Sequence, residues 1–535
     1  MFSKNSVLLI SMGLSAAIGL WGVFFPDQLT GAAVALTSGA LEYLDWMFML
    51  ACTMFLLLSI FLAVGPYADI KLGHDDDEPE FSTASWIAML FAGGMGSGLL
   101  FWGVAEPMYH FYSPPGIEGQ TTEAARAAFA ITNLHWGFHA WAIYGVCALV
   151  IAYFVFRKDA PSMVSTPIEY SLRAILGDRA TGAISIVSDV LAVMAVVFGL
   201  AGSLGMGTLL VRSGLAEVFG TDPTSLGVAV GILIVMTISF LLSACTGVDK
   251  GIKILSNLNM VIAIIIMLIV LFAGPTTFIL DAFVNSFGDY LSQFVFLSFR
   301  IFSYDDSLRG WTHGWTLTYL IWWIAWGPFV GIFVARISRG RTIREFCIGV
   351  IVVPTVFSML WFAVFGGAAI YIEMFGSGGL AEVVFEDVTK ALFTFFGYLP
   401  GSGILNVLAV ILIFVFLVTS ADSGTFVVSM MTTRGSLNPD VRTKLMWGVI
   451  MSAITFGVLV SGSVSVAKAM AITGAVPFTF IVLIQLVGFF RALAEDESPE
   501  KRDAKLARRM ARAQAAEEEA AAEARGGAPA AGPAK

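Results

Sequence analysis

The chain has 535 residues, 57% of them hydrophobic and 13% charged, with a mean hydropathy of +0.83, more apolar surface than a water-soluble domain can bury. The net charge of -9 is carried by acidic loop segments and the HDDDEPE stretch, with no basic face, which argues against a nucleic-acid partner. Cys52, Cys147, Cys245 and Cys347 are isolated, so neither a disulfide framework nor CxxC metal spacing is present.

Apolar runs of roughly 18 or more residues, enough to cross about 30 Å of hydrocarbon, recur about twelve times. They lie near 7–25, 43–64, 86–108, 128–156, 183–211, 225–244, 258–274, 316–337, 346–373, 404–430, 445–461 and 471–493, numbered here as spans 1 to 12. The expected fold is an all-α polytopic membrane protein with about 12 transmembrane helices. Span 1 follows Lys4 and lacks a small-residue cleavage site, so it reads as a retained helix. With both termini in the cytoplasm, only Arg126, Arg212, Arg300, Arg309, Lys390 and Lys468 of the basic residues fall outside, the bias that the positive-inside rule requires.

In chain order, the first informative stretch is FAGGMGSGLL of span 3, with Gly93, Gly94, Gly96 and Gly98 near mid-membrane. Glycines there can serve close helix packing or open the helix around a ligand. Span 4 follows with HWGFHAWAIY, which places Trp136, Trp141 and Tyr144 well inside an apolar run. His135 and His139 stand at i and i+4 but lack the Glu of HExxH, so they read as packing residues rather than a metal pair. The outside segment 276–305 alternates apolar and polar residues at roughly helical spacing and is expected to lie along the membrane surface.

Span 8 carries WWIAWGPFVG, with Trp322, Trp323 and Trp326 ahead of Gly327-Pro328. Tryptophan ordinarily marks the membrane–water boundary, and mid-segment indoles need another reason. Six electron-rich rings, Trp136, Trp141, Tyr144, Trp322, Trp323 and Trp326, at comparable depth form an expected aromatic cage for a quaternary ammonium group, which binds over indole faces and donates no N–H hydrogen bond. Gly327-Pro328 is expected to break the helix beside it. The basic loop ARISRGRTIREF reads as a topology anchor. Span 10 carries FLVTSADSGT, where Thr419, Ser420 and Ser423 offer the hard oxygens that sodium requires and Asp422 offers a carboxylate that could instead carry a proton. The tail around KLARRMARAQAAEEEAAAEA has nearly cancelling charge, and its Arg508, Arg509 and Arg512 could touch anionic lipid.

The breaks in spans 3 and 8 are five spans apart, which divides the chain into 1–78 (N-terminus and spans 1–2), 79–274 (spans 3–7), 275–315 (outside segment), 316–493 (spans 8–12) and 494–535 (charged tail). An odd number of spans per unit makes the second unit sit inverted. No nucleophile–base pair or phosphate-cradling loop appears, so an enzyme is not expected.

These residues resemble the betaine/choline/carnitine transporter family. The resemblance runs from about Pro79 to about Phe490 through EFSTASWIAMLFAGGMGSGLLFWGVAEP, HWGFHAWAIY, WWIAWGPFVGIFVARISRGRTIREF and FLVTSADSGT. It implies a LeuT-like 5+5 inverted repeat preceded by two extra helices, and sodium-coupled import of an onium compatible solute across a bacterial inner membrane. The implied aromatic box is Trp136, Trp141, Tyr144 and Trp323, with Trp326 beside it, Trp322 toward the outer path, and Gly94, Met95, Gly96, Ser97 and Gly98 opposite. One implied sodium site comprises Ala92, Met95, Phe416, Thr419 and Ser420, and a second lies near Phe329 and span 5. Choline transporters of the family often carry Asp where this chain has Gly98, so a zwitterion such as glycine betaine is favoured, while Ser97 departs from the usual aliphatic residue. The alternatives are a proton-coupled choline importer, an ion-independent exchanger, an osmosensor, or a transporter of dimethylsulfoniopropionate, carnitine, ectoine or taurine. The resemblance also implies a homotrimer.

Overall fold

A computed structural model describes residues 5–94, 96–246, 249–436 and 438–496, with single positions at 507, 510 and 514. The expected tail, 494–535, therefore lies almost wholly outside the described residues. Inside a bilayer each backbone N–H and C=O must be satisfied within its own segment, and the described residues are accordingly helical, with one isolated backbone bridge, Lys71 to Thr342.

The spans run Ser6–Phe24, Pro26–Val64, Thr83–Gly94 with Ser97–Tyr112, Thr122–Arg157, Thr166–Phe219, Leu226–Thr246, Asp249–Ala273, Asp306–Ile337, Ile343–Phe375, Ser402–Thr432, Val441–Ser461 and Val464–Asp496. Ten of these are long and apolar enough to cross a membrane. The two others explain the difference from twelve. Span 3 is broken into two pieces, and span 7 bends by 110° into the helix Thr276–Ser298. Arg126 at the start of span 4 holds this bent helix by donating to Asp289 through Nε and Nη2.

Several local expectations need correction. Span 2 begins well before 43: the chain turns at Phe25 and Pro26 opens a 39-residue helix, because proline at a first helical position loses no needed donor and pre-sets φ. Span 8 is not broken at Gly327-Pro328, and Thr318–Ile337 is one helix. Gly327 serves close packing there, since a Cβ would meet Cys147 Sγ at 2.8 Å. The irregularity of span 8 lies earlier, in a π turn at His313–Leu317. Span 4 has a break that was not anticipated, at Gly137, whose φ of -101° and ψ of -134° leave the helix. Lys468, placed outside by the charge count, is buried in span 12, which begins at Val464 rather than near 471.

Neighbour relations repeat when each span is exchanged for the one five places on. Span 8 packs on span 4 as span 9 packs on span 3, span 12 packs on span 5 as span 10 packs on span 7, and span 11 packs on span 5 as span 10 packs on span 6. The basic loop latches the 65–82 segment and the start of span 3: Arg341 covers the Trp86 ring at 4.0 Å, Arg339 pairs with Asp77, and Arg336 with Glu80. Partial desolvation of the Asp77 carboxyl is outweighed by the His74 backbone N–H and Arg339, which hold it below its ordinary range.

Candidate binding site

The site begins at the broken span 3. Its first piece ends at Gly94 and its second begins at Ser97, with Gly96 extended at φ -120° and ψ -164°. The break lets spans 4, 5, 8 and 10 frame a cavity of about 820 Å³, counting its open side. Gly96, Ser97 and Gly98 form one wall, and Trp136, Tyr144, Trp322, Trp323 and Trp326 another. Gly98 faces the Trp136 ring closely, since a Cβ there would come within 3.2 Å of Trp136 Cη2.

The rings are fixed by identifiable contacts. Trp323 stands edge-on to Trp136, with centroids 5.2 Å apart and planes at 88°, and to Tyr144 at 5.1 Å and 80°. Mutually perpendicular rings present faces around a common space, the geometry that holds a cation. Trp323 Nε1 donates to the backbone carbonyl of His135 at 2.8 Å, two residues before the break at Gly137. Trp136 Nε1 donates to Glu106 Oε2 at 2.6 Å. Both indoles thus satisfy their N–H inside the protein.

Other expected residues take different places. Trp141 is buried behind the wall, edge-on to Tyr144 at 5.9 Å, and does not line the cavity. Met95 lies outside the described residues, and Ala92 and Gly94 are described only as helical backbone of span 3. Ser420 reaches the cavity, whereas Phe416 is buried beside it. Thr419 Oγ1 donates to Val415 O at 3.0 Å and Phe416 O at 3.1 Å, which leaves its lone pairs as acceptors for a cation. Phe329 stacks edge-on against Trp326 at 5.3 Å. Asp422 does not line the cavity and accepts from Ser243 of span 6 at 3.2 Å.

Sequence reasoning missed three contributors. Trp102 and Tyr319 complete the aromatic wall. Glu106, fully buried, organises spans 3 and 4: its Oε1 is 2.6 Å from His135 Nδ1, while His135 Nε2 lies 2.9 Å from Thr316 Oγ1. An acidic residue inside an apolar run, as in Ala105-Glu106-Pro107, was the available signal. Glu106, His110 and His135 bring one ligand atom each within 4.8 Å, the one such group among the described residues, but the carboxylate is already engaged by His135 and Trp136. His139, across the Gly137 break, instead faces Thr53 Oγ1 at 3.5 Å.

The family model described as betaine/carnitine/choline family transporter matches residues 6–498. The chain is 43% identical to the glycine betaine transporter OpuD of Bacillus subtilis over 94% of its length and 97% of that protein. It is 40% identical to an ectoine/hydroxyectoine transporter of Virgibacillus pantothenticus, covering 94% and 98%, and 38% identical to a glycine betaine transporter of Acinetobacter baylyi, covering 92% and 73%.

Proposed function

Since this chain belongs to the betaine/carnitine/choline transporter family, we propose that it imports glycine betaine by sodium symport across a bacterial inner membrane, with both termini in the cytoplasm. The observation that supports this reading most is the box of perpendicular rings facing the break in span 3. A trimethylammonium group cannot donate an N–H hydrogen bond, so its binding must come from ring faces and excluded water. Trp136, Tyr144 and Trp323 receive it, and Trp326 and Trp322 bound the space beside it. The carboxylate of the zwitterion points to the gap between Gly94 and Ser97, where the second half of span 3 begins. A helix N-terminus there carries unsatisfied N–H groups and partial positive charge.

Sodium binds between span 3 and span 10, with Thr419 and Ser420 supplying hydroxyl oxygens and the chain near Ala92 and Met95 supplying carbonyls. Because both ligands share span 3, each orders the same broken segment and lowers the cost of binding the other. Alternating access follows as rocking of the unit 79–274 against 316–493 about this centre. The assembly is a homotrimer, with the helix Thr276–Ser298 in the contact.

The test is equilibrium binding followed by tryptophan fluorescence. Glycine betaine should bind in sodium chloride at least tenfold more tightly than in potassium chloride, and ectoine should compete more weakly. Equal affinity in both salts would remove sodium coupling. Tighter binding of ectoine would assign the site to that solute.

A further inference from the structure

Lys468 is the informative residue outside the proposed box. It sits just inside the start of span 12 and is buried to 9% exposure. Its Nζ lies 4.5 Å from the ring centroid of Trp102, 4.1 Å from that of Trp315 and 5.4 Å from that of Tyr319. Trp102 stands edge-on to the other two, at 78° and 71°. No carboxylate among the described residues lies within ion-pair distance of it. Glu106 acts on it at longer range, with its oxygens already committed to His135 and Trp136.

Burying an ammonium without an ion-pair partner is costly, and an intramembrane charge so placed is functional by default. The three rings offset part of that cost through their faces. They form a second cation cage, filled by the chain's own side chain. Trp102 and Tyr319 also line the cavity, so this cage and the proposed ligand space share a wall.

We infer that Lys468 is a built-in cation that makes this end of the cavity discriminate by ligand charge, admitting onium zwitterions and rejecting onium ligands that lack an anionic group. The inference rests on the proposed reading, in which the start of span 12 is the outer end of the transport path. A ligand approaching through Trp102 and Tyr319 meets a fixed positive charge across a low-dielectric wall. A carboxylate is attracted there, and a bare quaternary ammonium is repelled from a cage that is already occupied. Removing the ammonium lifts that repulsion and leaves the three ring faces without a cation of their own.

The test titrates the purified full-length protein with tetramethylammonium chloride and with glycine betaine, following tryptophan fluorescence. Lys468→Gln and Lys468→Met should each bind tetramethylammonium at least tenfold more tightly than the wild type. Lys468→Arg should keep the wild-type preference, and adding Trp315→Leu to Lys468→Gln should abolish the gain. Unchanged tetramethylammonium affinity in either removal variant of wild-type thermal stability would overturn the inference, as would a gain that survives Trp315→Leu. If the wild type binds no glycine betaine but Lys468→Gln gains tetramethylammonium, the transport reading fails and the second cage stands. If the wild type binds glycine betaine and neither removal variant gains, the second cage alone fails.

Discussion

Replacing Trp323 by leucine separates the cage from mere packing. Trp323 contacts both other rings of the box edge-on and is held by its N–H to His135 O. Leucine fills part of the volume but has no ring face. Losing one cation–π contact at a desolvated site costs about 2 kcal/mol, which is roughly a 30-fold loss of affinity. The lost hydrogen bond costs about a further 1 kcal/mol, and that part falls on the fold whether or not ligand is present. Glycine betaine binding and thermal melting should therefore be measured together on Trp323→Leu and Trp323→Phe. Affinity should fall about 30-fold in Trp323→Leu and much less in Trp323→Phe, while both variants lose similar stability. Wild-type affinity in a folded Trp323→Leu protein would refute the cage.

Other expected outcomes are more local. Gly98→Asp places a carboxylate in the cavity beside Trp136, and it should raise choline affinity relative to glycine betaine by tenfold or more in competition binding. Glu106→Gln replaces one of the two carboxylate oxygens that face Trp136 and His135 with an amide NH2 and should leave a buried polar group unsatisfied at a cost of about 1 to 3 kcal/mol, read as a lower melting temperature with weakened ligand binding. Gly202→Ala should destabilise by about 1 to 3 kcal/mol, because the added Cβ would lie 2.5 Å from the backbone oxygen of Ala467. Asp440 caps span 11, and Thr443 bonding holds its carboxyl below the ordinary value. A depressed carboxylate stabilises the fold above its unfolded pKa near 4 and loses that contribution as pH falls through the lower folded value. Asp440→Ala should cost about 1 kcal/mol at neutral pH, and the difference from wild type should shrink in melts below pH 4.

The spans were legible because hydrocarbon-length apolar runs admit one backbone solution. Their ends and interruptions were less so. Gly327-Pro328 looks like a stronger breaker than Gly137, yet the helix passes through the first and stops at the second. Gly327 gives span 8 its close contact with Cys147 of span 4, whereas Gly137 takes a backbone conformation in which a Cβ would lie 2.3 Å from Asn133 O of its own span. The depth argument grouped Trp136, Tyr144 and Trp323 in advance, but depth carries no azimuth, so Trp141 was assigned to a wall that it backs. Lys468 was hidden for a different reason. A lysine near the end of an apolar run reads as a loop residue, and only the arrangement of Trp102, Trp315 and Tyr319 around it reveals a buried site.

The central claim is coupled transport, and uptake of labelled glycine betaine into liposomes holding the purified protein tests it most directly. Vesicles with an inward sodium gradient, an inward proton gradient and neither should be compared. Accumulation above equilibrium driven by sodium alone, and competed by other onium zwitterions, is the predicted result. Accumulation driven by protons alone, or no uptake by protein that still binds ligand, would contradict it.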